Sequence, residues 1–525
     1  MPTSKERPDI VFIVLDTHRL DRLGCYGYHR NTSPNIDAFA QNATVFERAI
    51  SPAQWTIPSH ASLFTGEPVT THMTIHSGDV LDPRHKTLAE LLSARGYRTV
   101  GVCNNPLVGV IQNGFRRGFQ EFYSYSGAVR SVPKSAERLP QVVQTAWAKY
   151  RKGMRRITDP IQNLFATSTQ VFLAALNPMW VPLWTRFAHF KGDTPRSIRD
   201  TVQLVKGQMQ GQTRDPAFLF VNLMEPHLPY SPPDRFVDSF APRLREDRAA
   251  RDFIHRFNMQ AMQWLVPLER PFSPSEAQAL SDMYDAEVAY QDHLLSELLE
   301  MLSSPERREN TMVVLVADHG EMLGEHQLMG HGFGVYQELI QVPLIMRLPG
   351  QEQYGRVSQL VSARRLFHTV LEAAGEESFE TASGLQVDLH DQSLSREPDL
   401  GTVDDRVVWS EAYAPGFALR ILEKHRPSLI SELHCRSTNW ALYENEYKLM
   451  RIEGVEDRLY SLADDPREET VFSTNGVTTQ RRMALYLDSL LEGAMSRRLS
   501  EDGREKVDLE DEAVRQQLRG LGYIE

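Results

Sequence analysis

Three apolar runs constrain this chain more than anything else in it. Ile10 to Leu15, Ala217 to Met224 and Thr311 to Ala317 are short hydrophobic segments, interrupted only by Asn222 in the second. Continuous apolarity over that length is the pattern of a strand covered on both faces, as in a parallel sheet. Each run stops at a polar cluster. The first delivers Asp16-Thr17-His18-Arg19, the second Glu225-Pro226-His227-Leu228-Pro229-Tyr230, and the third Asp318-His319-Gly320-Glu321. Ligand sites of open α/β sheets lie at the carboxyl ends of strands, so the three clusters point to one site. Helix and strand signals alternate between the runs. Ser33-Pro34 opens a helix, Thr44 to Ala49 is a strand, and Thr87-Leu88-Ala89-Glu90 is a capping box whose helix stops at Gly96. Tyr97 to Cys103 is the next strand, Ser273 to Glu276 caps a long helix to about Leu302, and Val342 to Met346 is a further buried strand. The architecture this predicts is α/β with a mainly parallel sheet flanked by helices.

Composition limits the partners. The 525 residues include 57 Lys and Arg against 69 Asp and Glu, and a net charge of −12 gives no nucleic-acid footprint. Cys25, Cys103 and Cys435 form no CxxC pair and no disulfide framework, which fits a reducing compartment. Met1 to Pro8 is polar and leads straight into the first strand, whose apolar run is too short for a membrane span and has no cleavage site after it. A cytoplasmic protein is the expectation.

The length calls for more than one structural unit. The main domain is expected over residues 1–395 and a small α+β subdomain over 396–525. The latter holds shorter, alternating strands (Val407 to Glu411, Ala441 to Tyr443, Glu446 to Ile452, Arg458 to Ser461) and a C-terminal helix. Helical insertions are expected at about 127–212 and 235–270. The first turns apolar and aromatic from Val171 to Trp184, but Pro178 and Pro182 interrupt it. A lid over the site is favoured there over contact with a membrane surface.

The stretch from Trp55 to Gly66 reads as a loop running into a short helix, with Thr56 at the N-cap, Pro58 in the first turn and Gly66 as the stop. A helix N-terminus attracts anions, so a hydroxyl held there suits attack on a phosphoryl or sulfuryl group. The plain alternative is that Thr56 only caps the helix. Asp16 and the Asp318-His319 pair tip the balance toward chemistry. With Thr56 they make a four-ligand set for a divalent cation, better suited to Mn²⁺ or Zn²⁺ than to Mg²⁺ or Ca²⁺. One cation is favoured over two; a second would use His227 or His331. A coordinated Thr56 hydroxyl ionises more readily and becomes a nucleophile. His227 is a candidate to bind a non-bridging oxygen or protonate the leaving group, and His331 is a second candidate for either task. Asn105, Asn104 and His60 are candidate hydrogen-bond donors to the anion.

At these residues the chain resembles the sulfatase family of the alkaline phosphatase superfamily. The matching segments include Ile13 to Thr17, Leu23 to Tyr28, Ser33 to Asp37, Pro58 to Gly66, Glu225 to Tyr230, Ala317 to Glu321, Gly324 to His326, Val342 to Ile345 and Leu459 to Leu462. The resemblance implies an alkaline-phosphatase-like main domain with a small C-terminal α+β subdomain, and a metal-dependent hydrolase of sulfate or phosphate esters.

The departures are as informative. Sulfatases carry Cys or Ser, any residue, then Pro-Ser-Arg, and convert the first residue to formylglycine. Here Thr56 and His60 occupy the first and last of those positions, so no formylglycine is expected. Thr17 stands where a second aspartate is usual, and the lysines expected near Asn104 and shortly before Tyr336 are missing. An unmodified threonine resembles the phosphoglycerol-transferase and phosphodiesterase branches. The expected substrate is therefore a phosphate mono- or diester of a small molecule, glycan or lipid, attacked by Thr56. Two alternatives stay open: sulfate ester hydrolysis without formylglycine, and a sulfatase fold that binds without catalysis.

Overall fold

The computed structural model describes residues 7–126, 191–210, 215–395, 407–472 and 477–500. The run from Val171 to Trp184 and the tail after Ser500 lie outside them. The elements that build the main sheet and its cover are β1 (Asp9–Leu15), α1 (Pro34–Ala40), β2 (Thr44–Ile50), α2 (Thr56–Thr65), α3 (Leu88–Ala94), β3 (Arg98–Cys103), β4 (Glu121–Ser124), α4 (Thr194–Gln210), β5 (Ala217–Leu223), α5 (Pro274–Leu302), β6 (Thr311–Val316), β7 (Gln341–Arg347), β8 (Arg356–Ser362) and α6 (Leu366–Ala373). Among the described residues, eight strands form one sheet in the order β8-β2-β7-β6-β1-β5-β3-β4. All neighbours run parallel except β7, which is antiparallel to both β2 and β6.

The three apolar runs are the centre of this sheet. β1 pairs with β5 on one side and β6 on the other, with Ile13 opposite both Val221 and Leu315. Every residue of β6 and all but the first of β1 and β5 are buried, as strands covered on both faces must be. Helices α1, α4 and α5 pack together over the sheet, while α2, α3 and α6 form a second packed group. Both capping boxes form: Thr87 and Ser273 each accept from the backbone N–H of a glutamate three residues on, whose side chain returns the bond.

Sheet direction decides what meets at the functional edge. β1, β5 and β6 are parallel, so their polar endings emerge side by side. β2 runs the same way, and the chain leaving it enters α2 at that edge. The reversal of β7 matters equally, because an antiparallel strand begins where β6 ends. Its approach, Glu338 and Leu339, therefore lies against the turn after β6. There Gly320 N–H donates to Leu339 O at 2.7 Å and Glu321 N–H to Glu338 O at 3.2 Å. A Cβ at Gly320 would collide with the Glu338 carbonyl, so only glycine lets the two segments close. Helices cover residues 234–264 in four short pieces, Asp234–Phe240, Arg243–Glu246, Arg248–Met259 and Ala261–Trp264.

A second, four-stranded antiparallel sheet follows, in the order β9 (Val407–Ala412), β10 (Asn439–Glu444), β11 (Tyr447–Ile452), β12 (Arg458–Ser461), with α7 (Val477–Ser496) against it. It grips the approach to β7 through one buried ion pair. Lys448 Nζ lies 2.5 Å from Glu468 Oε1 with both side chains fully buried. The ammonium also donates to Val335 O at 2.6 Å, and Glu468 Oε2 accepts from Gln337 N–H at 2.8 Å. Removing one member of a buried pair strands the other charge. Lys448→Met should lose about 3–5 kcal/mol in urea unfolding, and adding Glu468→Leu should recover much of it. A single variant within about 1 kcal/mol of wild type would show that the pair carries no such stress.

Candidate active site

Thr56 is the first helical residue of α2, not its cap. Trp55 occupies the N-cap position with extended backbone and no side-chain capping bond. The Thr56 hydroxyl instead donates to His319 Nε2 at 3.3 Å, and the residue is 1% exposed. This corrects the expectation of an N-cap threonine and frees the hydroxyl from a structural task. α2 is tied to the end of β6 by Ser59, whose Oγ donates to Asp318 O at 2.7 Å, and Ser51 donates to the same carbonyl.

Each acidic or imidazole side chain near Thr56 has one polar atom held by the protein and one left over. Asp318 Oδ1 accepts from His319 N–H at 3.0 Å and Thr17 N–H at 3.3 Å. Asp318 Oδ2 has no hydrogen-bond partner among the described residues. Asp16 Oδ2 accepts from Asn105 Nδ2 at 2.6 Å, while its Oδ1 is likewise without a partner. His319 Nδ1 donates to Gly320 O at 2.9 Å, which leaves a lone pair on Nε2. That lone pair lies 3.4 Å from Asp318 Oδ2, 3.9 Å from Asp16 Oδ1 and 3.3 Å from Thr56 Oγ1. Ligands at about 2.0–2.2 Å from one ion stand no more than twice that distance apart, so the set fits a single small cation. All four residues are buried, and one ligand atom from each of Asp16, Asp318 and His319 lies within 4.8 Å of the other two.

Burial without a cation is electrostatically expensive. The Asp16 carboxyl is pushed up to about 8 by burial and then by the negative charge of Asp318. Asp318 also rises to about 8, again chiefly through burial. The imidazoles move the other way: burial lowers His319 to about 4 and His60, His227 and His331 to about 3. All four rings are therefore neutral at neutral pH. His227 Nδ1 donates to Leu228 O at 2.7 Å, so its unpaired Nε2 is the basic atom. Ring centroids run in a row, His319 to His331 at 4.5 Å and His331 to His227 at 5.1 Å.

Each of the three expected anion donors makes a hydrogen bond inside the protein. Asn105 caps the helix Pro106–Gly109, its Oδ1 accepting from Leu107 N–H at 2.8 Å, while its Nδ2 holds Asp16. Asn104 Nδ2 donates to Thr194 Oγ1. His60 Nδ1 donates to Thr56 O at 2.9 Å, lies 3.4 Å from Asp318 Oδ2, and sits beside Phe64 and Phe220. These residues shape the site from behind.

Other supports were not singled out from the sequence. Thr17 takes a left-handed backbone (φ 58°), strained for a β-branched residue, and so turns its N–H onto Asp318. Tyr284 of α5 fixes that turn by donating to Thr17 O at 2.6 Å. Asn222 Oδ1 accepts from Asn105 N–H at 3.1 Å and so orients the residue that holds Asp16. A lone polar residue inside an apolar strand was the available signal for Asn222, and Thr17 stood out only as a departure from the sulfatase pattern; nothing local marks Tyr284.

Residues 8–376 match the sequence profile of the Sulfatase family. The chain belongs to the sulfatase family. It is a hydrolase of sulfuric or phosphoric esters, in a family whose enzymes use a divalent metal. A sulfatase of Escherichia coli strain K12, YidJ, is 23% identical over 394 residues, 72% of this chain and 70% of that protein. Among solved structures, the phosphonate monoester hydrolase of Agrobacterium radiobacter superposes with a TM-score of 0.61 at 19% identity, covering 93% of this chain and 96% of the other. A protein solved with its substrate D-glucosamine-2-N,6-O-disulfate gives a TM-score of 0.64 at 15% identity, covering 93% and 98%. Both likenesses are of fold.

A threonine that capped α2 would cost about 0.5–2 kcal/mol on losing its hydroxyl. Thr56→Val keeps the branched shape but strands the buried Nε2 of His319, so metal-free protein should lose about 1–3 kcal/mol, while in a His319→Leu background the same change should cost less than about 0.5 kcal/mol. A loss in the capping range that persists without His319 would restore the structural role.

Proposed function

We propose that this sulfatase-family hydrolase acts on a phosphate mono- or diester through Thr56, with one divalent cation held by Asp16, Thr56, Asp318 and His319. One observation carries the proposal: four buried donor atoms converge, and the second polar atom of each carboxylate and of the imidazole is already bound elsewhere. Two carboxylate oxygens and one imidazole favour Mn²⁺ or Zn²⁺ over Ca²⁺. Such a cation, when bound, supplies Lewis-acid polarisation of hydroxyl and phosphoryl oxygens.

The chain's own residues account for the rest. Thr56 Oγ1 forms a bond to phosphorus as the ester P–O bond breaks, giving a covalent phosphothreonine. Water, or another alcohol, then attacks phosphorus and restores the hydroxyl. In the first step a neutral imidazole, His227 or His331, takes the Thr56 hydroxyl proton on Nε2 and gives it to the leaving oxygen; in the second it takes a proton from the attacking water and returns it to the Thr56 oxygen as the phosphothreonine bond breaks. The N-terminal end of α2 adds the positive end of its dipole beneath the transferred group. Asn105, Asn222 and Thr17 hold the two carboxylates, and His60 holds the backbone of Thr56. A formylglycine hydrate expels sulfate by collapsing to the aldehyde, which threonine cannot do. Family membership keeps a sulfate ester as the second reading, and a glycan or lipid alcohol suits either.

Turnover of nitrophenyl phosphate monoester, diester, phosphonate and sulfate with added Mn²⁺ tests the proposal. Phosphate or phosphonate turnover, its loss in Thr56→Val, and a phosphoryl group trapped on Thr56 by acid quench and mass spectrometry are expected. Sulfate turnover that survives Thr56→Val would overturn the threonine mechanism.

Cation binding should also compete with protons. Burial pushes both carboxyls up to about 8, so below that pH a cation must displace protons they hold. Apparent Mn²⁺ affinity should rise with pH up to about 8, by about tenfold per unit for each displaced proton, then level off. Calorimetry in buffers of different ionisation enthalpy reads the released protons directly. An affinity that is flat from pH 6 to 8 would contradict protonated, buried ligands.

A further inference from the structure

We propose that Glu321 is a positioning residue: its carboxylate locks the His331 ring so that Nε2, not N–H, faces the reacting ester. This rests on His331 taking part in proton movement at the site.

Local geometry brings the two side chains together. Met322–Leu323 and Met329–Gly330 form a two-stranded antiparallel ribbon, with Met322 opposite Gly330 and Leu323 opposite Met329. Continuing that register by one step sets Glu321 opposite His331. The His331 Nδ1 donates to Glu321 Oε1 at 3.0 Å, with side-chain exposures of 3% and 0%. The backbone of Glu321 is clamped on both sides: its N–H donates to Glu338 O, and its carbonyl accepts from the Arg19 guanidinium at 3.2 Å. The carboxylate thus has little freedom to turn away.

No other side chain among the described residues hydrogen-bonds this carboxylate. Arg19 binds the carbonyl of Glu321, and spends its remaining side-chain bonds on Asp21 and Glu325. Glu321 Oε2 has no hydrogen-bond partner among the described residues. Among the described residues the one hydrogen bond this buried carboxylate makes is to the middle ring of the His319, His331, His227 row.

A neutral imidazole has two tautomers and can flip. An acceptor fixed at Nδ1 selects the one with hydrogen there, and fixes the plane of the ring. The other two imidazoles of the row get the same service from backbone carbonyls, His319 from Gly320 and His227 from Leu228. His331 alone of the three uses a side chain, so its orientation is open to mutation.

The test is ¹⁵N NMR of histidine-labelled protein together with steady-state kinetics, for wild type, Glu321→Gln and Glu321→Leu. Wild type should show His331 as the Nδ1–H tautomer. Glu321→Leu should lose that preference, and Glu321→Gln, whose amide can donate to Nδ1, should favour hydrogen on Nε2. kcat should fall about 10–100-fold in both, with KM within about twofold and a loss of Mn²⁺ affinity well below the loss of kcat, because Glu321 hydrogen-bonds neither Thr56 nor a cation ligand through its side chain. An unchanged His331 tautomer in both variants would overturn the proposal. So would a fall in kcat matched by an equal fall in Mn²⁺ affinity, the mark of a merely structural role. Absence of turnover in wild type would count against the esterase reading and leave the tautomer measurement to decide this one.

Discussion

Two carboxylates, Asp16 and Asp318, are buried where their free oxygens converge on one imidazole nitrogen. Like charges so placed repel, and among the described residues neither has a lysine or arginine hydrogen-bonded to it. The fold tolerates this only where a cation resides or where protons do, and the raised carboxyl values are the second of these states. The surroundings of the pair make most sense as devices that keep it in place. Asn105 and the N–H groups of Thr17 and His319 each bind the carboxylate oxygen turned away from the shared space. Thr17 accepts a strained backbone for that purpose.

The rigid part of the account is the sheet. Three parallel strands buried on both faces cannot slip register without exposing a continuous apolar surface, so the endings of β1, β5 and β6 are fixed relative to one another. The reversed strand β7 adds the segment that closes over Gly320, and the Lys448–Glu468 pair ties that segment to the C-terminal sheet. A main-chain path thus runs from a distant ion pair to the turn that carries Asp318, His319 and Glu321.

Much of this was legible in the sequence for a physical reason. Continuous apolarity, a capping box and a polar strand ending are local signals, and they located the strands, the long helix α5 and the cluster of Asp16, Asp318 and His319. Orientation was less legible. Thr56 looks like a cap because threonine commonly is one, and only the extended backbone of Trp55 places the cap one residue earlier. Asn105 and His60 look like anion donors because they flank the site. One Asn105 amide hydrogen goes to Asp16 and the His60 Nδ1 hydrogen to the Thr56 carbonyl, contacts set by strand neighbours and helix rotation that a linear pattern does not encode. The antiparallel sense of β7 is equally hidden, since a buried strand reads the same in either direction. Glu321 and His331, ten residues apart, meet only because a two-residue ribbon sets their register.

The central claim is that one divalent cation sits between Asp16, Thr56, Asp318 and His319. Anomalous diffraction from crystals grown with Mn²⁺, recorded on both sides of the manganese absorption edge, tests it most directly. One strong anomalous peak coordinated by Asp16 Oδ1, Asp318 Oδ2, His319 Nε2 and Thr56 Oγ1 is expected. No peak in that space at saturating Mn²⁺, or a peak ligated by His227 and His331 without the two aspartates, would contradict it.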